Sequence, residues 1–169
     1  MLTKRAKRDL TELAAQFARL RHYKLLHDCL HTLQFKHARP LEQGLKALFD
    51  PNADPAGQTD AAADVAIYCA EMGDELARVR PSADALGSDA EKKWLGDAAR
   101  AVEKLKDGAE RRDATTAMVG RRLLDSLLRT QPTRVNQALV GVLEQLRFDA
   151  LLEAFSGIGR QLNGSGAAA

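Results

Sequence analysis

Residues 88–129, SDAEKKWLGDAARAVEKLKDGAERRDATTAMVGRRLLDSLLR, decide the fold class. Leu95, Ala98, Val102, Leu105, Ala109, Arg112, Thr116, Val119, Leu123 and Leu127 recur at steps of three and four. At about 100° per residue such steps return to one side of an α-helix. Ser88 and Glu91 stand three apart, the spacing at which each side chain can satisfy the other's backbone amide and open a helix. Gly108 and Gly120 interrupt the composition, each costing about 1 kcal/mol relative to Ala, yet the register runs through both. The pattern predicts one helix over residues 89–129, about 40 residues and about 60 Å long at 1.5 Å per residue. Its middle, residues 104–116, is polar nearly all round, as in segments that bridge solvent.

On the C-terminal side, Gln131-Pro132-Thr133 reads as a turn. A last helix is expected over residues 133–155. Leu139, Val142, Leu143, Leu146, Phe148, Leu151, Leu152 and Phe155 cover more than one of its faces, which predicts the most buried element. Residues 156–159 (SGIG) should end it. The segment 163–169 (NGSGAAA) reads as a disordered tail, linker or scar.

On the N-terminal side, a third helix is expected from Thr59 or Asp60, either of which can cap it, to just before Pro81. Residues 50–57 (DPNADPAG) read as a loop, and Pro40 to Phe49 as a short second helix opened by its proline. The first helix should run from Thr3 to Phe35. Ala6, Leu10, Leu13, Phe17 and Leu20 share one stripe, whereas Leu25, Leu26, Cys29, Leu30 and Leu33 form a stripe on the opposite side. The switch falls at residues 21–24 (RHYK), where no Pro or Gly forces a break. A continuous helix whose two halves bury different faces is therefore expected.

The composition agrees with this reading. Hydrophobic residues make up 45% and aromatics only 5%, with Ala and Leu dominant, so strand formers are scarce. The expected fold is an all-α bundle of about five helices with long first, fourth and last helices. It forms a single domain over residues 1–162. Cys29 and Cys69 lie in apolar stripes with no disulfide spacing, which points to buried free thiols and a reducing, cytoplasmic setting. Neither a signal-peptide pattern nor a membrane-length apolar run is visible.

Charge is unevenly distributed. Residues 1–39 hold nine Lys or Arg against three Asp or Glu, although the whole chain is only +2. Lys4, Arg5, Lys7, Arg8 and Arg19, with Arg21 and Lys24, could meet phosphate. The competing reading is a solvated helix face, and the few aromatics offer little base stacking.

All four histidines fall within residues 22–37. His27 and His31 stand at i and i+4, a spacing that can grip one metal ion. The pattern resembles the zincin HExxH motif, with Asp28 where that motif has Glu. Arg21-His22-Tyr23-Lys24-Leu25-Leu26-His27 resembles the R-x(4–6)-H motif of HEPN ribonucleases, which are helical bundles. That resemblance implies Arg21 and His27 acting on RNA at a dimer interface, with His22 as the polar residue after the Arg. The structural alternative is a polar interface: Lys24, His27, His31 and Gln34 continue the stripe begun by Leu13, Phe17 and Leu20, and with Arg21 they are the residues expected to meet a partner. No phosphate loop, nucleophile elbow or paired-carboxylate motif accompanies them. No cofactor is expected. The expected role is a non-enzymatic adaptor that binds another protein, a neighbouring domain of a longer chain or a second copy. Nucleic-acid binding and ribonuclease activity are the alternatives, and no membrane partner is expected.

Overall fold

The computed structural model describes residues 3–132, 141, 145 and 148–164. It is all-α, with no strand among those residues. The helices are α1 (Lys4–His31), which continues as a π-helical turn (Thr32–Lys36), α2 (Ala38–Leu48), α3 (Pro55–Leu86), α4 (Asp89–Glu110), α5 (Ala114–Arg129) and α6 (Phe148–Gly164). The chain divides into two compact units, one of Met1–Lys24 with Val135–Ala169 and one of Leu25–Arg134.

The larger unit, Leu25–Arg134, holds the main core. The second half of α1 contributes Leu26, Cys29, Leu30 and Leu33, and α2 adds Leu41, Leu45 and Leu48. From α3 come Val65, Cys69, Met72, Leu76, Val79 and Ala83, all essentially inaccessible. Trp94, Leu95, Val102 and Leu105 of α4, with Leu124 and Leu128 of α5, close it. The single Trp is anchored twice, by burial and by Nε1–H donating to the Leu127 carbonyl at 2.9 Å.

The helix expected over residues 89–129 is two helices. The capping box forms as expected: Glu91 N donates to Ser88 Oγ at 3.2 Å, and Ser88 N to Glu91 Oε2 at 2.9 Å. The helix then stops at Glu110. Asp113 N bonds to the Gly108 carbonyl at 2.8 Å and Arg112 N to that of Ala109 at 3.2 Å, with Arg112 in the left-handed region at φ 57°. This is a Schellman ending, which satisfies carbonyls the helix leaves unpaired. Asp113 then caps α5, its carboxylate accepting from Thr116 N at 3.1 Å. The polar middle of the stretch is thus a helical hairpin turn.

The two glycines explain the pairing that follows. A Cβ on Gly108 would lie 2.3 Å from Ala117 N, and one on Gly120 would lie 2.5 Å from Leu105 N. They are where the backbones of α4 and α5 touch. A stripe that one helix would carry along its length is folded back on itself.

Other boundaries also move. Asp54, not Thr59 or Asp60, caps α3 by accepting from Gly57 N at 2.6 Å, with Pro55 in the first turn. Pro55 needs no amide partner there. The helix also runs through Pro81 to Leu86. Pro81 is exposed, while Val79 and Ala83 on either side are buried, so the lost amide falls on the solvent side and core packing carries the helix past it. Pro40 likewise lies inside the first turn of α2, which begins at Ala38.

The smaller unit contains the first half of α1 and α6. Phe17 and Phe155 pack with ring centroids 5.5 Å apart. Residues 156–159 are helical, and α6 continues to Gly164, so SGIG does not end it and the expected tail begins inside a helix. Leu151 and Phe155 are half-buried; the expectation of a most buried element falls mainly on side chains outside the described ones. Leu139, Val142, Leu143 and Leu146 lie outside the described residues.

Candidate functional site

The first helix is continuous, and its apolar face changes sides as expected. In residues 4–20 the stripe of Ala6, Leu10, Phe17 and Leu20 is half-buried and Leu13 is 40% exposed. From Leu26 onward the opposite side is buried. The extra residue of the π turn, marked by His37 N bonding to the Thr32 carbonyl at 3.3 Å, lets the chain re-enter helix at Ala38.

The outward side of this second half carries His27, His31, Gln34 and Phe35. His27 and His31 have ring centroids 6.1 Å apart, and His31 and Phe35 4.8 Å. The three rings form a row at i, i+4 and i+8. His27 Nδ1 lies 3.3 Å from the Asp28 carboxylate. Gln131 Nε2 donates weakly to Gln34 Oε1 at 3.4 Å, tying the row to the chain after α5. Phe35 ends the row 66% exposed, an unusual place for a phenylalanine.

Sequence reasoning missed Phe35, treating it as a helix terminus. The signal was available: Phe35 is four residues past His31 and falls on the same stripe. Arg21 is exposed and Lys24 half-buried, both on the α1 segment of the smaller unit. His22, placed as the polar partner of a ribonuclease-like Arg, is 5% exposed. Lys4, Arg5, Lys7, Arg8 and Arg19 are exposed, with Arg5 and Arg8 each near Asp9 at 3.9 and 3.8 Å.

Among the described residues no three His, Cys, Asp or Glu side chains gather as a metal-binding set, so His27 and His31 have no third ligand there. No described helix is long and apolar enough to cross a membrane. Grooves of about 710, 500 and 310 Å³ run between α2 and α5, between α4 and α5, and between α2 and α3. None of these three is lined by Arg21, His22, Lys24, His27, His31 or Gln34. Both thiols are shielded, and burial pushes Cys29 and Cys69 each up to about 12, far from a nucleophile's range.

His37 is the buried histidine of the larger unit. Its Nδ1 finds no hydrogen-bond partner within the described structure, and the nearest carboxylate oxygen, Glu71 Oε2, stands 3.5 Å away. Burial pushes its pKa below the ordinary 6.5, with the Glu71 charge pulling partly back. Comparisons with family models, with characterised proteins and with solved structures find no match to this chain.

Proposed function

We propose that this chain is a non-enzymatic helical interaction module that binds another protein, or a neighbouring domain, through the outward row His27, His31, Gln34 and Phe35. The observation that carries this reading is the exposed Phe35 at the end of a stacked histidine row, on a helix whose other face is fully committed to the core. Exposed aromatics flanked by polar side chains form interface centres, because they bring large contact area with few rotatable bonds. A helical segment laid along α1 would complete the bundle on that side.

The test compares affinity capture by the full chain with capture by Phe35→Ala and by His31→Ala. Both positions are exposed, so helical content should stay unchanged. A partner that survives washing with the wild type and is lost with both variants supports the reading. A captured set identical for all three chains overturns it.

A second reading rests on Lys4, Lys7 and Arg19, which are exposed and make no ion pair among the described residues. They would serve nucleic-acid binding by phosphate contact. Such binding must weaken steeply with salt. An RNA or DNA shift assay at low salt showing no complex removes it.

A further inference from the structure

Two surfaces of the larger unit carry opposite charge around exposed apolar side chains. Along the outer side of α3, Asp60, Asp64, Ile67, Glu71 and Asp74 recur at steps of four and three, with Ala63 and Ala70 beside them, all exposed. Ile67 is 55% exposed in the middle of that acidic row. Asp60, Asp64 and Asp74 form no ion pair among the described residues.

The groove of about 500 Å³ between α4 and α5 is the counterpart. Its floor is Ala101, Leu123 and Leu127, and Leu123 is 48% exposed. Its rim is basic: Arg100 and Lys104 line it, and Arg122 stands exposed beside Leu123. The one acid there, Asp97, is already held by Lys93 and Arg100, which keep its carboxyl below the ordinary carboxylate range. Lys104 and Arg122 make no ion pair among the described residues.

We propose that a second copy of this chain lays the Ile67-centred acidic row of its α3 into the α4–α5 groove. Ile67 would meet Leu123 and Leu127, and Asp60, Asp64 and Asp74 would face Lys104 and Arg122. The row cannot reach the groove of its own chain, because the buried side of the same α3 is packed in the core with α4. The pairing is therefore between molecules. The two surfaces differ, so the contact is heterologous and repeats into a ring or an open chain. The surface is separate from the α1 row proposed above and does not depend on that reading.

The test is sedimentation velocity on the full chain. The wild type should associate with rising concentration at low salt and dissociate in about 1 M salt, where the Debye length falls to about 3 Å. The triple substitution Asp60→Asn, Asp64→Asn, Asp74→Asn removes the acidic face, and Lys104→Gln with Arg122→Gln removes the basic one. Each variant alone should be monomeric. An equimolar mixture should form a heterodimer and nothing larger, because only one compatible contact remains. Phe35→Ala should leave the association unchanged. Circular dichroism reports whether each variant keeps its helix, and Ile67→Ser with Leu123→Ser replaces any that does not, with monomers expected. A wild type that stays monomeric at low salt overturns the proposal. So does association that survives either variant, or a mixture that stays monomeric.

Discussion

His37 shows how one residue can couple this fold to pH. Its pKa is depressed mainly by burial, so in the folded chain it takes up a proton less readily than in the unfolded one. The unfolded state then binds more protons below about pH 6.5, and stability rises with pH through that window. Denaturant midpoints should be flat above the ordinary value and fall as pH drops through the folded-state value. His37→Leu should flatten that slope, and an equal slope in both chains would show that other groups cause it. Cys29 and Cys69 are protected by the same burial, and native protein should resist thiol alkylation that proceeds readily in denaturant. The sequence made both cysteines legible, because each sat on an apolar stripe. It did not separate His22 and His37 from His27 and His31. Burial of a histidine depends on which neighbouring helix covers it, and no periodicity within one helix states that.

Gly108 and Gly120 carry the lesson at the scale of elements. Substituting Ala would gain about 1 kcal/mol of helix propensity at each site. The added methyl would also meet backbone atoms of the facing helix at 2.3 and 2.5 Å, and overpacking of that kind costs about 1–3 kcal/mol or more. Gly108→Ala and Gly120→Ala should therefore lower the melting temperature. Gly157→Ala in α6, where nothing among the described residues stands within 4 Å, should raise it slightly. Arg112→Gly should stabilise by about 0.5–1 kcal/mol, because glycine adopts the left-handed conformation without the steric cost that Arg112 bears at φ 57°. A drop in melting temperature would mean that the weak Arg112 contact to Thr59 at 3.4 Å matters more than backbone strain. The capping box was readable because it is local. The hairpin was not, because a row of small residues is equally consistent with one long stripe and with two helices in close contact. Pro81 misled for a related reason: a proline stops a helix unless packing on both sides outweighs it, and that packing is tertiary.

At the scale of the whole molecule, the core residues named above all belong to Leu25–Arg134. That segment expressed alone should unfold cooperatively, with Trp94 fluorescence and helical ellipticity changing together, and separate transitions would show that it needs the rest of the chain. The all-α class and the change of face along α1 were legible from helical periodicity, since both are properties of one chain read in order. Of the proposed row, helical spacing put His27, His31 and Gln34 on one stripe, and Phe35 was the omission. The central claim is that the row on α1 is where this chain meets a partner. A photo-reactive phenylalanine analogue in place of Phe35, with a matched one in place of the exposed Lys46 of α2, which lies on neither proposed surface, tests it in the source cells. The account predicts a discrete cross-linked species from position 35 that is absent from position 46. Equal cross-linking at both positions, or none at position 35, would contradict it.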